Sequence, residues 1–362
     1  MKSVLIGVGQ AGGKLARELV AYDERMGFGS IRGAVGVNTA ETDLQDLPFE
    51  TVLVGQDRVK GHGVGGDNEL GAEVMQSDTQ EVLAALDGRV TAGTESIFVI
   101  AGLGGGTGSG GAPVLAKELK RIYDVPVYGL GVLPGKDEGA MYQVNAGRSL
   151  KTFTREADAL LLVDNDAFRS AGESVTEGYD SINQEIAQRI GLLLASGEAV
   201  DGVAESVVDS SEIINTLRSG GIAALGYASA EAAPEAEENI NAVMSTTRRA
   251  LLTGSSLPDA TDADAALLIV AGDQDAIPRK GVERARRWVE EETGSLQVRG
   301  GDFPLSSGRL ATLVLLSGVE RSDRLEAFLQ RAKDAQDADA EQAAERADPA
   351  EQWTNDDLDD LL

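Results

Sequence analysis

A dense run of glycines, GLGGGTGSGG at residues 102–111, constrains this chain most. An apolar segment at 96–101 precedes it and predicts a buried strand, while residues 113–122 predict a helix. Each glycine costs backbone entropy relative to alanine, so packing alone is a poor reason for so many. Consecutive N–H groups in such a loop form an anion site, to which the hydroxyls of Thr107 and Ser109 add donors. The loop therefore predicts phosphate binding, but it lacks the Gly-x-x-x-x-Gly-Lys-Ser/Thr pattern of a Walker A loop.

A second glycine loop lies near the start of the chain. Apolar residues 3–8 predict a strand that enters Gly7-x-Gly9-x-x-Gly12, the spacing of a dinucleotide-binding turn. An NAD site also needs an acid about 20 residues further on, at the tip of the second strand, to hold the ribose diol. The second predicted strand, residues 34–37, ends instead at Asn38. Two glycine loops at strand ends therefore predict a phosphate chain held from two sides, and the missing acid disfavours NAD.

Predicted strands and helices alternate along the chain. Further strands are predicted at 51–54, 126–133, 159–163, 222–228, 265–271, 296–299 and 310–317, and helices at 181–195, 236–252 and 282–292. This order favours an α/β fold with a mostly parallel sheet and ligands at the carboxyl edge of its strands. We predict an N-terminal Rossmann-like nucleotide domain (1–175), a long connecting core helix (176–200), a second α/β domain (201–330) and an acidic, flexible tail (331–362).

The charge balance is strongly acidic. Sixty Asp and Glu residues oppose 32 Lys and Arg residues, which gives a formal net charge of −28. Such a field repels polyanions, so nucleic acid is not an expected partner. The acidity suits either a cationic partner or solubility at high salt, where screening makes self-repulsion cheap. Because the acids are spread over the whole chain, we favour high salt and predict a halophilic source.

Several classes of protein are excluded by what the sequence lacks. It has no cysteine, which excludes disulfides, thiolate metal sites and cysteine nucleophiles. His62, in a glycine-rich loop, is the only histidine, so a Ser-His-Asp triad is disfavoured, and no metal ligand set is recognisable. No run of 18 apolar residues occurs, so we expect no integral membrane segment and a cytoplasmic protein.

Taken together, these motifs resemble the tubulin/FtsZ superfamily of GTP-dependent cytoskeletal proteins, over nearly the whole chain to about residue 330. GGGTGSG at 104–110 is the family's signature loop, GQAGG at 9–13 is the tubulin-like form of its first loop, and Asn38-Thr39 matches its second. An FtsZ-sized chain with tubulin-like loops looks most like the archaeal CetZ group. The resemblance implies a GTPase domain that binds GTP or GDP, with Mg²⁺ as a candidate companion ion, and head-to-tail self-assembly in cell-shape control.

The resemblance also implies a set of nucleotide-binding residues. They are Gly9, Gln10, Ala11, Gly12, Gly13, Lys14, Asn38, Gly104, Gly105, Gly106, Thr107, Gly108, Ser109, Glu138, Asn165, Tyr179 and Asn183. Glu138 resembles the ribose-contacting acid, and Asn165 lies in a loop, DNDAF, like tubulin's base loop. Tyr179 and Asn183, at i and i+4, share one face of a helix, where the ring can stack on a base and the Asn amides can read the guanine edge.

Two further segments are compared with the family. Residues 65–69, GGDNE, fall where the family senses the γ-phosphate. Tyr142 occupies the place of an arginine that bacterial division proteins carry four residues after the ribose acid, so that phosphate contact has no counterpart.

Asp209 and Glu212 resemble the loop with which the family hydrolyses the nucleotide of the next subunit. The i, i+3 spacing puts both carboxylates on one helix face, and a carboxylate can orient or deprotonate a water that attacks the γ-phosphate. A capping box, with Asp209 as N-cap and Glu212 bonding back to it, is the structural alternative, and both roles can coexist. An asparagine that many members carry just before this pair is Val207.

Two other functions stay open from the sequence. One is a GTP-binding regulator that does not polymerise, and the other is an NAD- or flavin-dependent oxidoreductase, which would leave Tyr179 and Asn183 unexplained. Residues 331–362 carry 11 acids against three bases, which predicts a mobile tail or a solvated helix. The end around Trp353 is either a frayed terminus or a peptide that docks on an unknown partner.

Overall fold

The computed structural model describes residues 1–169, 175–198 and 208–346. Its strands are β1 (Ser3–Val8), β2 (Ile31–Asn38), β3 (Glu50–Leu53), β4 (Ser96–Gly102), β5 (Val127–Leu133), β6 (Ala159–Asp164), β7 (Ile222–Glu231), β8 (Asp262–Gly272), β9 (Gln297–Pro304) and β10 (Arg309–Arg321). Its helices are α1 (Gly9–Met26), α2 (Gln56–Val59), α3 (Asn68–Leu86), α4 (Thr107–Ile122), α5 (Ala140–Glu156), α6 (Val175–Ser196), α7 (Ser210–Leu217), α8 (Ile240–Leu252), α9 (Arg279–Thr293) and α10 (Asp323–Arg346). Each predicted strand overlaps one of these strands.

All ten strands belong to one sheet, in the order β3-β2-β1-β4-β5-β6-β7-β10-β8-β9. The first six are parallel, as their continuous apolar runs predict, because parallel strands are covered on both faces. β10 runs antiparallel to β7 and β8, so the second half of the sheet is mixed. The halves join where β6 pairs with β7 through Leu160–Ile222 and Leu161–Ala223. The two predicted α/β sets therefore share a continuous sheet, and the domain limits at 175, 200 and 330 stay predictions.

Helices cover both faces of the sheet and bury one apolar cluster on each. One cluster includes Val74 of α3, Leu115 of α4 and Phe328 of α10. The other includes Ile186 of α6, which packs in the same cluster as Phe98 of β4 and Leu313 of β10. The long helix thus contacts apolar residues from both halves of the chain, in line with the burial its sequence predicts. No helix in the described ranges combines the length and apolarity needed to cross a bilayer.

Helix α4 begins six residues before the predicted start at residue 113. Its first two turns contain the second half of the glycine run, which packs directly on α3. A Cβ on Gly110 would lie 1.9 Å from the carbonyl oxygen of Asn68, and one on Gly71 of α3 would lie 2.5 Å from that of Gly106. Some of these glycines therefore permit close helix packing, in addition to the phosphate binding that the sequence predicts.

Several helices were not predicted, and the acidic tail is partly described. α3 and α5 were missed, although Asp67 gives α3 an ordinary N-cap by accepting the N–H groups of Glu69 and Leu70 at 3.0 Å. The described part of the predicted tail belongs to α10, which continues to Arg346 as the helix alternative predicts, and the flexible tail stays a prediction. Residues 347–362, with Trp353, lie outside the described residues, as does Val207.

Candidate nucleotide-binding site

The two glycine loops meet at the carboxyl edge of the adjacent strands β1 and β4. Gly9 has φ +74°, and a Cβ on it would lie 2.9 Å from the backbone nitrogen of Gly108. A Cβ on Gly12 would lie 2.1 Å from the carbonyl oxygen of Ile100. Glycine is required at both positions, at Gly9 for a left-handed turn and at Gly12 for close packing of α1 on β4. The amino ends of α1 and α4 consequently lie side by side.

The backbone of these loops presents unused donors. Within the described ranges, neither α1 nor α4 has a side-chain cap. The N–H groups of Gly104, Gly105 and Gly106 make no hydrogen bond there either. A Cβ on Gly105 would meet nothing within 4 Å, so there is open space next to its Cα. Free N–H groups and the positive ends of two helix dipoles favour an anion at this point.

The two predicted hydroxyl donors have partners inside the protein. The Thr107 hydroxyl lies 2.7 Å from that of Thr39, which follows β2. The Ser109 hydroxyl donates to the carbonyl of Gly105 and, at 3.3 Å, to that of Gly106. Of the other predicted residues in the first loop, Gln10, Ala11 and Lys14 are exposed, while Gly13 is buried against Leu47.

Asn38 ties the second loop to the first. Its side chain is buried, accepts the N–H of Thr39 at 2.8 Å and donates to the carboxylate of Asp43 at 3.0 Å. The other oxygen of Asp43 accepts the side-chain amide of Gln10 at 3.0 Å. Asp43 therefore joins two predicted nucleotide residues, yet no motif marks it in the sequence.

Residues 65–69 lie against the glycine run through Asn145 of α5. This buried amide donates to the carbonyls of Gly66 at 2.7 Å, Gly104 at 3.0 Å and Gly105 at 3.4 Å. No motif marks Asn145 in the sequence, because its partners are 40 or more residues away along the chain. Tyr142, which stands in place of the family arginine, packs against Gly104 with its Cβ 3.2 Å from a Cβ built there.

Two predicted ribose and base residues touch directly. The Glu138 carboxylate accepts the N–H of Gly135 at 2.7 Å and the hydroxyl of Tyr179 at 3.2 Å. Burial and the nearby Glu138 charge raise the pKa of the Tyr179 phenol, so it remains a hydrogen-bond donor at neutral pH. Asn165 directly follows β6 and is buried, and Asn183 lies one helical turn beyond Tyr179 on α6. Glu138 and Asn165 follow neighbouring strands, so the base and ribose residues gather at one edge of the sheet.

Asp209 and Glu212 lie at the opposite edge. Ser210, between them, donates to the Glu95 carboxylate at 2.6 Å. Glu95 directly precedes β4, and its other oxygen accepts the N–H of Lys2, which directly precedes β1. β1 has six residues and β4 has seven, so the two ends of these strands are about 20 Å apart at roughly 3.3 Å per residue. One chain does not bring these carboxylates to its own glycine loops.

The two carboxylates have different environments. Asp209 caps α7 by accepting the N–H of Glu212 at 3.1 Å, and a hydrogen bond from the Ser211 hydroxyl lowers its pKa. Burial, followed by the charge of Asp209, raises the pKa of Glu212. Among the described contacts, Glu212 does not bond back to the N–H of Asp209, so only the Asp209 half of the predicted capping box forms. Glu212 is thereby left without a structural partner in the cap.

Two family models together match residues 2–334. The tubulin/FtsZ family GTPase domain matches residues 2–172, and the tubulin-like CetZ C-terminal domain matches residues 172–334. The tubulin-like protein CetZ2 of the halophile Haloferax volcanii is 74% identical over 362 residues, covering 100% of each chain. CetZ1 of the same organism is 50% identical and covers 93% of each chain. A solved structure, CetZ2 from Haloferax volcanii as a GTPγS-bound protofilament, superposes with a TM-score of 0.91 at 75% identity, over 94% of this chain and 100% of that one.

These matches extend over both halves of the sheet and include both glycine loops. The family relation leaves the oxidoreductase alternative without support. The chain belongs to the tubulin/FtsZ family and, within it, to the tubulin-like CetZ group.

Proposed function

We propose that this protein binds GTP or GDP at the carboxyl edge of its sheet, assembles head to tail into filaments, and hydrolyses GTP at each contact between subunits. One observation carries the proposal: the glycine loops and the pair Asp209 and Glu212 lie at opposite ends of the same two strands, β1 and β4. Two half-sites of this kind are completed only by a second copy placed end to end with the first. A contact of this head-to-tail type does not close on itself and generates an open filament.

The carboxyl edge of the sheet, here called the nucleotide face, offers a partner for each part of GTP. The N–H groups of residues 104–106 and the amino ends of α1 and α4 suit the phosphates. Glu138 suits the ribose, Tyr179 the base face, and the amides of Asn165 and Asn183 the guanine edge. In the described ranges no three Asp, Glu or His side chains converge as a preformed cation site, so a Mg²⁺ ion would depend mainly on the phosphates for its ligands.

Hydrolysis needs a positioned water more than covalent chemistry from the protein. Glu212 of the neighbouring copy serves as the base, and burial, followed by the charge of Asp209, raises its pKa and makes it the stronger base of the pair. Asp209 stays ionised and holds the first turn of α7, which fixes the direction of Glu212. Two carboxylates whose environments push their pKa values apart are typical of such a division of roles.

The relatives support the same assembly. The related CetZ2 structure is a GTPγS-bound protofilament, and a CetZ1 structure from the same organism is a GDP-bound monomer. We extend nucleotide binding and filament formation from these proteins to this chain. By resemblance to the group, we also assign it a role in cell-shape control.

Phosphate release and pelleting in molar KCl test this function. We expect the wild-type protein to pellet with GTP and to release phosphate. Glu212→Gln should still pellet with GTP but lose turnover by a factor of about 100, the typical contribution of a general base. Glu24→Gln, which makes the same charge change at an exposed position on α1, should leave both readouts unchanged. Nucleotide binding without pelleting would instead favour the non-polymerising regulator.

A further inference from the structure

The loop that carries Asn165 is held by an arginine from the other half of the chain. Asp164, Asn165 and Asp166, here called the base loop, directly end β6. Arg324 lies in the first turn of α10 and contacts both acids. Its Nε donates to Asp164, and its Nη2 donates to Asp166 at 2.5 Å. One guanidinium therefore binds both residues that flank Asn165.

Burial distinguishes this contact from an ordinary surface ion pair. The side chains of Asp164, Asp166 and Arg324 are 4%, 8% and 25% exposed. Exposed pairs contribute little to stability, whereas two buried carboxylates two residues apart repel each other and lose hydration unless a cation compensates both. The planar fork of arginine suits this task, since it presents several donors in fixed directions.

The same contact extends to the ribose side of the site. Asp166 also accepts the N–H of Lys136 at 3.1 Å, and Lys136 lies two residues before Glu138. Asp164 accepts the N–H of Asp166 at 3.1 Å, which fixes the turn around Asn165. The Asn165 side chain donates no hydrogen bond to any described residue, so the described contacts leave its amide available to a ligand. Arg324 thus holds Asp166, which joins the base loop to the ribose side. Arg169 also pairs with Asp166, at 3.5 Å, but only Arg324 contacts both acids of the base loop. Arg324 is not itself a predicted nucleotide ligand.

We propose that Arg324 is a positioning residue for guanine recognition, through which α10 holds the base loop in the form that reads the base. This inference rests on the proposed nucleotide function. It couples the C-terminal half of the chain to nucleotide choice, because the base loop belongs to the GTPase-domain match and Arg324 to the CetZ C-terminal match. By linkage, a nucleotide that orders the base loop also favours the docked position of α10.

The expected effect of losing Arg324 is on the base rather than on the phosphates. In Arg324→Met, GDP affinity should fall about tenfold or more, because the base loop is no longer held in the form that reads the base. ADP shares the phosphate, ribose and stacking contacts with GDP but not the contacts to the guanine edge, so its affinity should fall less. The ratio of GDP to ADP affinity should therefore fall. Arg324→Lys should restore part of this ratio, because a single ammonium can bond one carboxylate well but not both.

Equilibrium binding of GDP and ADP to the full chain in molar KCl is the test. Arg279→Met is the matched control, since Arg279 pairs with Glu283 on α9 but is 93% exposed, and it should leave the ratio unchanged. If Arg324→Met unfolds, the double variant Arg324→Met with Asp166→Asn removes most of the carboxylate repulsion, and it should fold while keeping the reduced ratio. A wild-type GDP to ADP ratio in either folded variant would overturn the inference. No preference for GDP in the wild-type protein would instead overturn the proposed function.

Discussion

At the scale of single residues, the two carboxylates at the start of α7 have different roles. Asp209 caps the helix, whereas Glu212 is the proposed base. Asp209 is occupied by the helix cap and the Ser211 hydroxyl, which lower its pKa. Glu212 is half-buried next to that charge, and its pKa is raised, although Arg299 and Arg286 act in the opposite direction. A base with a raised pKa is protonated, and therefore inactive, over a wider range of acidic pH than an ordinary glutamate.

The raised pKa of Glu212 predicts the direction in which GTP turnover changes with pH. Turnover should fall as the pH is lowered through the raised pKa of Glu212, because the protonated carboxyl no longer accepts a proton from water. In Arg299→Met the opposing positive charge is lost, so the acid limb of the profile should move to higher pH. Phosphate release measured across pH, with filament mass followed in parallel, checks this. An unmoved acid limb in Arg299→Met would argue that a different group titrates.

Gly9 and Gly88 provide a matched test of the loop contact. Both have φ +74°, but a Cβ on Gly9 would reach Gly108, whereas one on Gly88 would meet nothing within 4 Å. Gly88→Ala should lower the free energy of unfolding by about 1–2 kcal/mol through backbone strain and leave GDP affinity unchanged. Gly9→Ala should add a loss of GDP affinity of about tenfold or more, because the two loops must separate. Urea unfolding and GDP titration in molar KCl compare the two, and equal GDP affinities would contradict a close loop contact.

At the scale of elements, α5 connects the glycine run at 102–111 with the segment at 65–69. Asn145 is its connecting residue, with hydrogen bonds to the carbonyls of Gly66, Gly104 and Gly105. Asp43 has a similar joining position between Gln10 and Asn38. Each residue fixes the position of one loop relative to another, so its loss should weaken binding of a ligand that contacts both loops.

Asn145→Ala should weaken GTP more than GDP. Residues 65–69 would lose their tie to the glycine run, and by resemblance that segment senses the γ-phosphate. We expect kcat/KM for GTP to fall about tenfold and GDP affinity to change by less than about threefold. Asn241→Ala, at an exposed position on α8, is the control and should match the wild type. Equal losses for GTP and GDP would show that Asn145 supports the fold in general rather than the γ-phosphate segment.

The strands were predictable because buried parallel strands are short, continuous apolar runs bounded by glycine. Glu138 and Tyr179 touch each other in the structure, while their contact with a nucleotide stays a prediction. Asn145, Asp43 and Arg324 could not be found in this way. Each acts through contacts that only the folded chain creates, and Arg324 is 160 residues from Asp164. α3 was missed because glycine and short polar residues dilute its helical pattern, and Gly71 among them permits its close packing on α4.

At the scale of the whole molecule, the net charge of −28 sets the conditions of stability. Self-repulsion among exposed carboxylates weakens as salt shortens the Debye length from about 10 Å at 0.1 M to about 3 Å at 1 M. We expect the thermal midpoint to rise between about 0.2 M and about 2 M KCl, where this screening acts. Differential scanning fluorimetry measures the thermal midpoint. GDP is kept in excess, because loss of bound nucleotide would itself lower the midpoint. Maximal stability at low salt would contradict adaptation to high salt.

The most direct test of the two half-sites is a mixing experiment. Gly105→Glu places a negative charge among the phosphate donors, at a position where an added Cβ meets nothing within 4 Å. It should abolish nucleotide binding but keep Glu212, whereas Glu212→Gln keeps the nucleotide face. Each variant alone should release phosphate slowly, and an equimolar mixture should recover turnover, because Glu212 of one copy reaches the GTP of the other. A mixture no more active than the two variants assayed alone would contradict hydrolysis at a contact between subunits.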